Sequence, residues 1–258
     1  MKHNIYFAEL APLRSLFDSG LPVLCYHKVG RKPRGVKLRG IYVGTGLFAR
    51  QLRQLKTNGY KSVPSDRLAS SGPFSREMVL TFDDGSLTTL HHAVPLMAEV
   101  GFCAINYLVS DLLGGVNQWD TVRGEVPDRL MDETQVRDWM AAGHEIGAHT
   151  KTHPKLSRIP AAQAREEISG SKKSLEDRFG VPIRHFCYPY GDYTTVVRDM
   201  VEEAGFETAV TVDPGVRRAD TDRFLVPRIG ARAHSLNFRN VFKRLMGRPL
   251  VDASPLLG

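Results

Sequence analysis

Short apolar runs alternate along most of the chain with segments whose apolar residues recur at helical spacing. The runs at residues 23–27, 78–82, 103–108, 144–148, 185–188, 208–212 and 224–229 read as buried strands. Between them, Phe48, Leu52 and Leu55 fall on one helical face. So do Val94, Met97 and Val100 ahead of Gly101, and Val197, Met200, Val201 and Ala204 ahead of Gly205. A glycine after the last apolar position is a common helix stop. Strands alternating with helices predict a parallel sheet covered by helices, the α/β class. No linker or internal repeat interrupts the pattern, so residues 1–258 read as a single domain with a core at about 22–230 and a tail at 231–258.

Composition agrees with one sizeable core, since 42% of 258 residues are hydrophobic. The formal charge of +7 is spread out without a nucleic-acid recognition motif, so no nucleic-acid partner is expected. The densest basic cluster is residues 238–246, where Phe238, Val241, Phe242 and Leu245 share one helical face. Two readings are open for it: an amphipathic helix on an anionic membrane surface, or a helix packed on the core. The start of the chain lacks a signal-peptide run and no stretch is long and apolar enough to span a bilayer. The expectation is a cytoplasmic protein, free or apposed to a membrane. Cys25, Cys103 and Cys187 are odd in number and lie in strand-like segments, so they read as reduced core residues. Nothing in the composition addresses oligomeric state.

Chemistry concentrates where strands end. Thr81-Phe82-Asp83-Asp84-Gly85 closes the second run, and neighbouring carboxylates at a strand end opening into a glycine turn can both reach one pocket. One can bind a divalent cation while the other accepts a proton from water; the alternative is an ordinary Asp-Asp-Gly turn. His149-Thr150-Lys151-Thr152-His153-Pro154 follows the fourth run. On a helical turn this spacing puts both imidazoles on one face, with Pro154 limiting its continuation; the alternative is a pair of solvated loop histidines. Two imidazoles and one carboxylate make a three-donor set that leaves positions open, as catalytic metal sites do.

Together these segments resemble the NodB-like polysaccharide deacetylases, carbohydrate esterase family four. The first two motifs of that family read Thr-Phe-Asp-Asp-Gly and His-(Ser/Thr)-x-x-His-Pro, and a third ends Pro-Tyr-Gly, as does Phe186-Cys187-Tyr188-Pro189-Tyr190-Gly191. The resemblance runs from about Pro22 to Ile229 and implies a distorted (β/α)7 barrel with its site at the strands' C-terminal ends. It implies that Asp84, His149 and His153 hold the metal, zinc first, with iron, cobalt or nickel also accepting this set. It also implies that Asp83 is the general base and that the backbone N–H of Tyr190 meets the oxyanion, with Tyr188 and Pro189 on the substrate side of that turn.

Two departures from the commonest family pattern matter. The usual arginine of the third motif is replaced by Cys187, and Arg228 is the candidate to hold Asp83 in its stead, against the reading of a surface arginine. No histidine closes a Leu-rich strand near the C-terminus. His27, closing residues 21–26, takes that place in a permuted arrangement like that of exported poly-N-acetylglucosamine deacetylases, with His234 as the weaker candidate acid. Residues 110–131 form an insertion in which Trp119 is a candidate platform for a sugar ring and Asp120 a hydroxyl acceptor; Trp119 also fits as a residue packed under the loop. Residues 31–42, basic and rich in glycine, are a second candidate rim element. The expected function is metal-dependent removal of an N-acetyl group from an amino sugar in a glycan or lipid-linked saccharide. O-acetyl ester or other C–N hydrolysis on the same fold is the runner-up, and a sugar-binding pseudoenzyme is the alternative of a different class.

Overall fold

The computed structural model describes residues 6–231. Seven parallel strands form the barrel: β1 (Val23–Tyr26), β2 (Glu77–Phe82), β3 (Ile105–Leu108), β4 (Glu145–Ala148), β5 (His185–Cys187), β6 (Thr208–Pro214) and β7 (Val226–Ala231). Each pairs with the next, and β7 returns to β1 through Ile229↔Leu24 and Gly230↔Cys25. The expected (β/α)7 barrel is the observed fold, and every strand lies within two residues of its predicted bounds. Its distortion has two sources. β4 and β5 share only the pair Ala148↔Phe186, and the β6–β7 register shifts between Val210 and Pro214.

Alternation along the strands divides the core in two. Val23, Val79, Ile105, Tyr107, Cys187, Val210 and Val226 form one buried cluster inside the ring. Leu24, Tyr26, Leu80, Phe82, Ile146, Phe186 and Ile229 belong to the other, shared with the surrounding helices α1 (Thr45–Thr57), α2 (Val94–Val100), α3 (Glu133–Ala141), α4 (Ala161–Phe179) and α5 (Thr195–Glu203). Gly147 on β4 is small because the Tyr107 ring fills its side of the barrel. A Cβ there would stand 2.6 Å from that ring and 2.9 Å from the His185 carbonyl oxygen.

Four short strands were not legible in the sequence: Tyr6–Phe7 beside β7, Lys61–Ser62 beside β2, and Lys28–Val29 paired with Tyr42–Val43. Two residues are too few for an alternation to register. The insertion 110–131 folds back onto the strand ends: Met131 N–H donates to the Gly85 carbonyl (2.9 Å) and Leu87 N–H to that of Arg129 (2.8 Å). The rim segment is tied to it, because the Glu125 carboxylate accepts the N–H groups of Lys37 and Leu38. His234 and the amphipathic segment 238–246 lie outside the described residues. Among those described, no helix is long and apolar enough to cross a membrane.

Candidate active site

The inward parity of three strands continues to their C-terminal ends and delivers the site. Val23 and Cys25 lead to His27, Val79 and Thr81 to Asp83, and Val226 to Arg228. Arg228 is buried, not a surface residue, and grips Asp83 with both nitrogens of its fork, Nη1 to Oδ1 and Nη2 to Oδ2, each at 2.7 Å. Its Nε donates to the Thr211 carbonyl at 2.8 Å, and Nη1 also donates to Thr81 Oγ1 at 2.9 Å, so the fork is fixed before it meets the carboxylate. Burial alone would raise the Asp83 carboxyl. The guanidinium more than offsets this and holds it at about 2, keeping the carboxylate ionised.

Asp84 would face away from Asp83 on a regular strand. Its φ of 78°, followed by 76° at Gly85, breaks the alternation and turns it toward the same cavity. There its Oδ1 lies 3.6 Å from His149 Nε2 and 3.5 Å from His153 Nε2, and the two imidazole nitrogens are 3.2 Å apart. The helical turn expected at residues 149–153 does not form. The segment is an irregular loop with left-handed backbone at Thr150 (65°) and His153 (66°). Pro154 disfavours the helical region at the residue before it. The N–H groups a helix would pair internally go to Glu167 on α4, whose carboxylate accepts those of Lys151 (2.8 Å) and Thr152 (2.9 Å) and the Thr152 hydroxyl (2.6 Å). Thr150 Oγ1 accepts the His153 N–H at 3.0 Å. Of the five non-glycine residues with positive φ among those described, four are Asp84, Thr150, His153 and Tyr190. Backbone strain of about 1–3 kcal/mol per residue is therefore concentrated at this site.

The triangle fits a divalent cation. Bonds of about 2.0–2.1 Å in tetrahedral geometry require donors about 3.3 Å apart, close to the separations observed. His149 Nδ1 donates to the Cys187 carbonyl at 2.7 Å, which directs Nε2 at the triangle. Burial alone would lower His149, but Cys187 and Asp84 raise it well above its ordinary value. Burial holds His153 down at about 4. Burial would raise Asp84, yet hydrogen bonds from the two histidines keep it well below its usual range.

All these groups open into one cavity of about 230 Å³. His27 sits at its wall, its side chain 26% exposed, with Nε2 3.8 Å from Asp83 Oδ2. Tyr190 also lines it, with φ of 60° and its ring edge-on to His153 at 4.6 Å. Trp119 reaches the cavity but is only 8% exposed, and one indole face stacks on His153 at 4.2 Å, so it buttresses that imidazole. Asp120 lines the cavity and accepts from Asn117 Nδ2 at 3.1 Å; burial and then the Asp84 charge raise its carboxyl. Tyr188 contributes to the cavity lining while its hydroxyl is turned to the core and donates to the Phe224 carbonyl at 3.0 Å; Pro189 is buried outside the lining. Sequence reasoning missed Glu167 and the closeness of Cys25 to Asp83. The first left a trace: a carboxylate on the buried stripe Ala164, Glu167, Ile168, Ser171, Leu175 of α4 needs a partner.

Residues 72–209, more than half of the chain, match the sequence profile of a family described as polysaccharide deacetylase. The matched stretch carries Asp83, Asp84, His149, His153 and Tyr190, and leaves His27 on the β1 side and Arg228 on β7 outside it. YxkH of Bacillus subtilis, whose name places it among polysaccharide deacetylases, is 24% identical over 214 residues, spanning 81% of this chain and 70% of its own. A chitooligosaccharide deacetylase of Azorhizobium caulinodans is 36% identical over 74 residues, 28% of this chain and 35% of its own length. Among solved structures, the Streptococcus pyogenes deacetylase PplD in complex with acetate shares the fold, with a TM-score of 0.72 at 21% identity over 87% of this chain and 97% of that one. The motif strands, their barrel and the profile that spans them agree: the chain belongs to the polysaccharide deacetylase family, a family of hydrolases.

Proposed function

We propose that the protein is a metal-dependent hydrolase that removes the N-acetyl group of an amino sugar in a glycan or a lipid-linked saccharide. The observation that carries this reading is the division of labour in one cavity: Asp83 is held ionised by Arg228, beside a separate donor triangle of Asp84, His149 and His153. Asp84, His149 and His153 would hold a divalent cation, zinc foremost, which when bound would polarise the acyl carbonyl and acidify water. Asp83 accepts the proton of the attacking water at its carboxylate, and the Arg228 fork aims the oxygens and keeps them deprotonated and free to accept it. The left-handed turn after Pro189 supports a role for the Tyr190 N–H toward the developing oxyanion. An amine anion is too basic to leave an amide, so the departing nitrogen must be protonated. His27, partly exposed on the cavity wall and not needed for the triangle, is the residue we assign to that proton. The names of the relatives and of the acetate complex support an acetylated carbohydrate as substrate.

The experiment combines metal analysis with acetate release from N-acetylated and O-acetylated sugars. Asp84→Ala, His149→Ala and His153→Ala should lose metal and turnover together, whereas Asp83→Asn should keep metal and lose turnover. A metal-free Asp83→Asn beside a metal-loaded Asp84→Asn would reverse the roles, and acetate release confined to O-acetyl substrates would overturn the assignment as an amidase.

A further inference from the structure

Beside the Asp84–His149–His153 triangle, the same cavity holds a second cluster of cation donors that the reaction does not require as such. Cys25 and His27 stand two residues apart at the end of β1 and so face the same side of the barrel wall. Cys25 Sγ lies 3.5 Å from Asp83 Oδ2 and 4.0 Å from His27 Nδ1, while His27 Nε2 is 3.8 Å from the same carboxylate oxygen. One donor atom from each residue falls within 4.8 Å of the others, and all three residues line the cavity.

The donor types set the ligand. The first triangle offers one oxygen and two nitrogens, whereas this one offers sulfur, nitrogen and oxygen, a set that favours zinc or cadmium over hard cations such as magnesium. A third grouping, Asp83 with His149 and Cys187, is close in space but committed: His149 Nδ1 donates to the Cys187 carbonyl, and the Cys187 sulfur is fully buried against Arg228 Nη2 at 3.3 Å. Asp83 keeps lone pairs beyond those that Arg228 occupies. The guanidinium charge beside it opposes a cation, which makes this the weaker of the two sites.

We propose that Cys25, His27 and Asp83 form a second, inhibitory site for a soft divalent cation, filled only when that cation exceeds one equivalent. Binding forms a metal–sulfur bond and releases the Cys25 thiol proton to solvent, with no change of oxidation state. Binding does not depend on the catalytic assignments. The inhibition rests on the proposed function, because a cation here takes up the accepting oxygen of Asp83 and one ring nitrogen of His27 together.

Cobalt(II) is the probe, since a thiolate ligand adds a near-ultraviolet charge-transfer band that nitrogen and oxygen donors do not. In the full chain the first equivalent should give no such band and the second should produce it. Cys25→Ser should abolish the band and Cys187→Ser should keep it. In a His149→Ala/His153→Ala variant the band should appear with the first equivalent, so failure of the catalytic-metal reading is distinguished from failure of this one. Excess zinc should inhibit acetate release, and Cys25→Ser, relative to its own rate without excess zinc, should need at least about tenfold more zinc for half inhibition, since loss of even an outer-shell partner of a ligand costs about 10–100-fold in metal affinity. A thiolate band with the first equivalent in the unaltered chain, no band at excess cobalt, or zinc inhibition unmoved by Cys25→Ser would each overturn the proposal. If Cys25→Ser does not fold, the order of band appearance in the unaltered chain and its loss or retention in Cys187→Ser decide.

Discussion

Replacing Arg228 by methionine tests whether Asp83 depends on it as closely as the geometry implies. The methionine keeps an unbranched apolar stem but removes a charge that meets a buried carboxylate through two contacts of 2.7 Å, with both residues 2% exposed. Breaking such a pair from one side costs about 3–5 kcal/mol, because the remaining charge is stranded. At about 2–4 °C per kcal/mol for a chain of this size, the melting temperature should fall by roughly 6–20 °C. The pH dependence should change sign as well. With Arg228, the depressed Asp83 contributes stability that is present above its unfolded value of 3.8 and lost as pH falls toward about 2. Without it, burial raises the carboxyl above the unfolded value, so the folded state binds the extra proton and the variant's deficit should shrink as pH is lowered from 7 to 5. Urea melts at both pH values measure this, and turnover should fall by about 10²–10⁴-fold with loss of an ionised, oriented base. Arg228→Met/Asp83→Asn, which removes the stranded charge, should be more stable than the single variant at pH 7. A single variant within about 1 kcal/mol of the unaltered chain at pH 7, the upper end of the surface-pair range, or a double variant no better than the single, would refute the reasoning.

Other perturbations separate the remaining roles. His27→Ala should keep metal and fold but lose about 10²–10⁴-fold in turnover on an N-acetyl sugar, and far less on an ester with a good leaving group; near-normal amide hydrolysis would move the search for the acid to His234. Glu167→Gln, which weakens the clamp on residues 151–152 without touching the donors, should lower metal affinity by about 10–100-fold in a chelator competition, and an unchanged affinity would show that the loop holds its shape unaided. Burial lowers His144 to about 4, and neither ring nitrogen has a protein partner, so the unfolded chain binds the extra proton between about 6.5 and 4 and stability falls as pH drops through that window. His144→Phe, which retains the contact with Trp139 at 4.5 Å between rings, should lose part of that acid sensitivity in urea melts at pH 7 and pH 5, and an unchanged slope would argue against a buried neutral imidazole.

What the sequence by itself determined is what depends on near neighbours. The seven strands follow from short apolar runs, and the parallel α/β class from their alternation with helices, because burial on both faces makes a parallel strand visible as a run, whereas the barrel was implied by the family resemblance. Asp83, Asp84, His149 and His153 were legible because each pair lies within a single strand end or loop. Tertiary structure decided the rest. Arg228 is 145 residues from Asp83, so only closure of β7 onto β1 could turn a candidate arginine into a buried fork. Glu167 shapes the loop that brings His149 and His153 together, where spacing alone predicted a helical turn, and the left-handed backbone at Asp84, Thr150 and His153 runs against local preference. Trp119 read equally as a sugar platform or as a residue packed under its loop, and the fold lays one of its faces on His153 at the cavity wall. Local propensity is settled over a few residues. The direction in which a side chain points into a shared cavity depends on contacts made by residues far apart in the chain, and strained positions persist only because many such contacts hold them.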